Sequence, residues 1–178
     1  MIGVLVSGEG SNLQALIDAR LPLACVASNR PGIRALERAR TAGIQTAVFD
    51  LSGYRDREQR DAEMAEWLAE RDVDLVVLAG YMHLLTEPFL AHFPERIVNV
   101  HPSLLPQFPG AHAIDDALAA GVETTGVTVH VVDAGLDTGP VLAQEPVSVQ
   151  PSATLVERIH AVEHRLLPKV VKDLCPVH

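Results

Sequence analysis

Short apolar runs recur along the chain, and between them apolar residues return every three or four positions among charged ones. The runs predict strands over Ile2–Ser7, Leu23–Ser28, Thr46–Phe49, Leu75–Ala79, Ile97–His101, Val127–Val132 and Val141–Val149. The three-to-four spacing predicts helices near Asn12–Arg20, Arg34–Ala42, Tyr54–Arg71, Pro88–Phe93 and Ile114–Ala120, and a last one over about Thr154–Leu174. Runs without polar alternation, such as "DLVVLAG", mark strands covered on both faces, as in parallel sheets. Strand–helix alternation then implies right-handed crossovers and an α/β fold: an open, doubly wound, mostly parallel sheet with helices on both faces. No repeat, low-complexity tract or linker interrupts the 178 residues, so one domain is expected over 1–178.

Composition narrows the function without choosing it. Hydrophobic residues make up 48% of the chain, enough for a substantial core. No apolar run reaches the roughly 20 residues a bilayer span needs, and the N-terminus has no basic leader. Two cysteines, Cys25 and Cys175, make no disulfide framework, so a reducing cytoplasm is the expected location and Cys25 reads as a core thiol. The net charge of −9, with no dense basic tract, argues against nucleic acid and anionic membranes as partners. Any phosphate would have to be held locally, by backbone amides.

Ligands of open α/β sheets collect at the carboxyl ends of the strands near the switch in strand order. Three stretches there could carry chemistry. In "SGEGSNLQAL", Gly8 and Gly10 permit a sharp turn, and Ser11 or Asn12 can cap the following helix, a ready anion site. Leu13 stands where a dinucleotide fingerprint needs a third glycine, so a monophosphate suits the loop better; a turn without ligand is the plainer alternative. Glu9 opposes a phosphate unless it points away. In "IVNVHPSLLPQFPG", alternation places Asn99 and His101 on one side of a strand, a donor and an imidazole suited to an oxyanion. Pro102, Pro106 and Pro109 stiffen the backbone just beyond. The plainer alternative is a polar strand end meeting solvent. In "VVDAGLDTGPVL", Gly135 and Gly139 flank Asp137 in a loop between two strands, where the acid either orients a histidine or simply occupies a turn.

The last helix adds an anomaly. Glu163 falls within the apolar stripe of Leu155, Ile159, Val162, Leu166 and Val170, and therefore meets an Arg inside the fold or, as favoured here, a polar cavity. Thr154 and Glu157 fit a capping box. "HAVEH" fits the H-x-x-E-H zinc peptidase pattern, with His160 and His164 as ligands and Glu163 as base, a remote zinc-hydrolase alternative that lacks an evident third ligand.

Taken in order, "SGEGSNLQALIDA", "SNRPG", "DLVVLAGYMHLLTEPFL", "IVNVHPSLLPQFPG", "GVTVHVVDAGLDTGPVLAQEPV" and "VEHRLLP" resemble the folate-dependent formyltransferases over nearly the whole chain. The resemblance implies a Rossmann-like fold and transfer of formyl from 10-formyltetrahydrofolate, as co-substrate, to the amine of glycinamide ribonucleotide in purine synthesis, without a metal, in a monomer or homodimer. It implies Asn99, His101 and Asp137 as catalytic residues, and Gly10, Ser11, Asn12 and Glu163 around the ribonucleotide. For folate it implies Arg57, Met82, His83, Leu84, Leu85 and the loop from Asp133 to Asp137. The N-terminal half would hold the ribonucleotide, and the C-terminal half the catalytic groups and folate. Hydrolases of formyltetrahydrofolate tend to read His-His-Ser where this chain has His101-Pro102-Ser103, and relatives acting on initiator tRNA usually carry a further domain. The chain departs from the pattern at His83, where arginine is common, at Gln107, where lysine is common, and at Glu9, where an uncharged residue is usual.

Overall fold

The computed structural model describes residues 1–175. Seven strands form one sheet: β1 (Ile2–Val6), β2 (Leu23–Ser28), β3 (Gln45–Val48), β4 (Leu75–Leu78), β5 (Ile97–His101), β6 (Thr124–Val131) and β7 (Val141–Ser148). Their order is β3-β2-β1-β4-β5-β6-β7. The chain steps outward from β1 to β3 and then returns to pair β4 on the other side of β1, so strand order switches between β1 and β4. The first five strands pair in parallel, whereas β6 runs antiparallel to β5 and β7 antiparallel to β6. The expected open, mostly parallel sheet is therefore present, with an antiparallel hairpin at one edge.

Alternation along each strand divides the core in two. Val4 and Val6, Val77, and Val98 and Val100 face the helices α1 (Ser11–Asp18), α2 (Arg34–Thr41) and α6 (Leu155–Leu174). Leu5, Val76, Leu78 and Ile97 face α3 (Arg57–Ala69) and Phe89 of the short α4 (Glu87–Leu90). Burying each such Leu or Phe stabilises by about 1.5–3 kcal/mol. Asn99 and His101 continue the α3-facing series of β5, and the α5 helix (Ala113–Ala120) follows the proline-rich segment.

Some local expectations give way to packing. α1 is not capped by Ser11 or Asn12: it begins at Ser11 behind Gly10, whose φ of 74° is open to glycine, and no side chain bonds the first turn. A Cβ at Gly10 would lie 2.6 Å from Ala35 Cβ and 2.8 Å from its Cα, so this turn is also where α2 docks. α3 starts at Arg57, later than predicted, because Asp56 accepts the Gln59 N–H at 2.9 Å and caps it. The capping box at Thr154 does not form: its hydroxyl oxygen lies 3.2 Å from Arg158 Nε, which donates to it, and no side chain caps α6. Among the described residues no helix is long and apolar enough to cross a membrane.

Candidate active site

A cleft of about 250 Å³ opens at the carboxyl ends of β4 and β5, beside the switch point. Met82 to Leu85 form one wall, the 133–137 loop forms the other, and Asn99, His101 and His130 lie between them. Met82 and Leu84 are 65% and 56% exposed and form an apolar lip.

The inner wall is a connected polar cluster. Antiparallel pairing sets Asn99 opposite His130 and His101 opposite Thr128, so the two histidines and the amide share one face. His130 Nδ1 lies 2.9 Å from the Val131 carbonyl, to which it can only donate. Its Nε2 stands 3.3 Å from Asn99 Nδ2 and 3.6 Å from Asp137 Oδ1. In the neutral ring that nitrogen accepts from Asn99; once protonated, it donates to Asp137. His101 Nε2 donates to the Phe108 carbonyl at 2.8 Å, and its Nδ1 lies 3.5 Å from Asp137 Oδ2. Asp137, at φ 54° in the loop between β6 and β7, also accepts the Gly110 N–H at 2.8 Å. The bond from His130 draws its carboxyl below the usual range; burial opposes this, and Gly110 and the His101 charge reinforce it. The structure thus brings Asn99, His101 and Asp137 together.

More than proline stiffness holds the neighbouring segment. Thr128 Oγ1 donates to Ser103 O at 2.7 Å and accepts from Leu105 N at 3.1 Å and Gln144 Nε2 at 2.9 Å. All of its hydrogen-bonding capacity is used to fasten residues 103–105 to β6 and β7. Of the residues expected near folate, Arg57 donates to the Leu84 carbonyl at the lip of the cleft. Asp133 Oδ1 accepts from Gly135 N and Thr138 Oγ1 at 3.0 and 2.7 Å, closing the turn that carries Asp137.

Glu163 lies elsewhere. It is 6% exposed and accepts from Asn12 Nδ2 at 2.9 Å, joining α6 to α1. An amide rather than an arginine receives it, and Glu163 lines neither this cleft nor the groove beside Ser11. Burial pushes its carboxyl up, with the Asn12 bond and nearby His160 pulling the other way. Asn12 Oδ1 is buried without a partner. Ser11 opens on a second groove shared with Gln14, Arg38 and His164. Glu9 turns outward, 3.4 Å from Arg34, while Arg38 Nε donates to its carbonyl at 2.9 Å, so two cations flank the glycine turn. The His160 and His164 rings stack at 6.0 Å, but among the described residues no three of His, Cys, Asp and Glu gather as metal ligands, which leaves the zinc reading without support.

Sequence reasoning missed His130 and the arginines beside Glu9. His130 could have been found: in "VTVHV" the valines alternate with Thr128 and His130, and a strand pairing with Ile97–His101 must turn one of its two faces toward Asn99. Arg34 and Arg38 left no comparable signal, because their approach depends on how α2 packs against the turn.

The doubly wound sheet sets an amide, two imidazoles and a carboxylate beside its switch point, and the chain belongs to the formyl transferase family, whose model matches residues 1–171. It is 44% identical over 179 residues to phosphoribosylglycinamide formyltransferase of Mycobacterium tuberculosis, covering 96% of this chain and 83% of that protein. The crystal structure of phosphoribosylglycinamide formyltransferase from Bacillus halodurans superimposes with a TM-score of 0.94 at 42% identity, over 98% of this chain and 95% of that one. The trifunctional purine biosynthetic protein adenosine-3 of Drosophila melanogaster is 43% identical over 184 residues, and the chain spans only 14% of its length.

Proposed function

We propose that this chain transfers the formyl group of 10-formyltetrahydrofolate to the primary amine of glycinamide ribonucleotide, the reaction of de novo purine synthesis for which its bacterial relatives are named. The observation that carries the reading is the single cluster of Asn99, His101, His130 and Asp137 on the inner wall of a cleft with an apolar lip. Folate lies along Met82–Leu85 and the 133–137 loop, and the ribonucleotide phosphate lies at Gly10, Ser11 and Asn12, with Glu163 behind them. One domain serves both, its N-terminal half holding the ribonucleotide and its C-terminal half the folate.

The substrate amine, like an α-amino group with a reference pKa of about 8, is partly neutral near pH 7 and attacks the formyl carbon directly. The tetrahedral intermediate carries a negative oxygen and a positive nitrogen. Asn99 has a second amide hydrogen beyond the one given to His130, and it donates to that oxygen. His101 reaches the oxygen by moving its Nε2–H from the Phe108 carbonyl, so its donor stays paired throughout. Asp137, held ionised, stabilises the charged imidazole through Nδ1. It also relays the proton from the attacking nitrogen to the folate nitrogen as the carbon–nitrogen bond to folate breaks. No step needs a metal.

The test is to mix purified protein with both substrates and follow folate absorbance and ribonucleotide formylation together. Coupled loss of formyl from folate and its gain on the ribonucleotide supports the reading. Formate release independent of the ribonucleotide would show a formyltetrahydrofolate hydrolase instead, and inhibition by chelators a metal hydrolase.

A further inference from the structure

His83 belongs to the cleft wall, yet it is governed from behind by an arginine the mechanism does not use. Arg60 and Asp61, adjacent on α3, are both fully buried. Arg60 Nε and Nη2 donate to Asp61 Oδ1 at 2.9 and 2.6 Å, and its remaining arm, Nη1, lies 2.8 Å from His83 Nδ1. Asp61 Oδ2 accepts from the Thr86 N–H at 2.8 Å and the Thr86 hydroxyl at 2.9 Å. The pair therefore grips the cleft-lining segment at both ends. A guanidinium has no acceptor, so His83 Nδ1 must present its lone pair, and the ring proton sits on Nε2. The Asn29 amide nitrogen is itself a donor, because Asn29 Oδ1 accepts the Ser7 hydroxyl at 2.6 Å. It lies nearly equidistant from the two ring nitrogens, 3.3 Å from Nε2 and 3.5 Å from Nδ1, and so is aligned with neither as the 2.8 Å guanidinium contact is with Nδ1. Nε2–H has no acceptor among the described residues.

We propose that Arg60 is a positioning residue that fixes His83 as the neutral imidazole carrying its proton on Nε2, so that this wall of the cleft offers an uncharged donor, matched to a carbonyl or amide oxygen of the incoming folate. The assignment of the occupant rests on the function proposed above; the state of His83 does not. Around the ring stand Arg60, Asp61 and Arg57 from α3, Asn29 after β2, and Tyr81, whose ring lies edge-on at 6.0 Å. Burial, then the two arginines, hold His83 below its ordinary value of 6.5, with Asp61 opposing. Geometry and charge thus act in the same direction.

Nitrogen-15 NMR of the histidine rings reads the tautomer directly. In the unaltered protein His83 should show a protonated Nε2 and an unprotonated Nδ1 from pH 8 down past 6.5. Arg60→Met alone leaves Asp61 buried without its partner and is prone to unfold, so the working variant is Arg60→Met with Asp61→Asn, alongside Arg60→Lys. In the double variant the His83 pKa should rise at least tenfold in proton affinity, and KM for 10-formyltetrahydrofolate should become dependent on pH below 6.5, with kcat within about twofold. Arg60→Lys should keep His83 neutral. A proton on Nδ1 in the unaltered protein, or a KM profile unmoved by the double substitution, would overturn the inference. Should the tautomer be as stated while folate leaves the His83 resonances unshifted, the role of Arg60 is upheld and the folate reading of the cleft fails.

Discussion

Two inward-facing carboxylates, the half-buried Asp137 and the buried Glu163, have opposite characters. Asp137 sits among two imidazoles and a backbone N–H, and its carboxyl is held below the ordinary value of 3.8; Glu163 has one amide, and burial lifts it above the ordinary 4.5. Depth and donors together decide the state of an acid: burial dominates at Glu163, and hydrogen-bond donors dominate at Asp137. Asp137 is arranged to rest ionised, which under the proposed mechanism suits a group that stabilises an imidazolium and takes up a proton in transit. Glu163 is biased toward its neutral form relative to a free glutamate, because burial outweighs its one amide donor and the nearby His160.

The largest effects should come from the first region. Asn99→Ala and Asp137→Ala should each lower turnover at least a hundredfold while both proteins stay folded at the assay pH, the first because losing an oxyanion donor typically costs about 2.7–4 kcal/mol and the second because the imidazolium loses its counter-charge. Near-normal steady-state rates in either variant would remove that residue from the chemistry. Gly10→Val should come next. The positive φ and the contact with Ala35 make it a lesion of folding, worth about 1–3 kcal/mol in denaturant titrations, so any weaker ribonucleotide binding must be judged against that loss. His130→Ala should reduce kcat about tenfold, roughly 1.4 kcal/mol, because Asn99 loses the acceptor that orients it when the ring is neutral, or Asp137 loses a donor when it is protonated; an unchanged kcat would reduce His130 to a packing residue.

The smallest effect sharpens the contrast best. Glu163→Gln keeps an oxygen for Asn12 and removes a charge whose folded pKa is raised. The cost of that charge is absent below the unfolded value of 4.5 and grows as pH rises through it. The variant should therefore match the unaltered protein at pH 4 and exceed it by up to about 1 kcal/mol at pH 7. Asp137→Asn should show the reverse sign. The stabilisation from Asp137, whose pKa is lowered, is present above 3.8 and is lost as pH falls through the folded value, so the deficit of the variant should shrink in acid. Parallel unfolding curves for the two variants across that range would refute the distinction.

The sheet could be anticipated because unbroken valine and leucine runs have few uses other than a doubly covered strand, and Asn99 and His101 because alternation is a property of any strand. The meeting with Asp137 could only be expected, since it depends on β6 pairing with β5. The partner of Glu163 could not be read at all: Asn12 is 151 positions away, and an apolar stripe records only that a polar intruder needs company. Likewise Arg60 and Asp61 look like two more charges on a polar helix until α4 and the loop after β4 bury them.

Gly139 limits how this scaffold can be redesigned. A Cβ there would fall 1.8 Å from the Val131 carbonyl oxygen, so the strands flanking the 132–138 hairpin tip converge at a neck only a hydrogen atom can pass. Mutational libraries aimed at new acyl donors should leave residue 139 alone and keep Asp133, Gly135 and Thr138, which close the turn, while varying Ala134 and Leu136 beside Asp137. Lengthening the tip by an even or odd number of residues would then re-aim the carboxylate while the neck anchors its base.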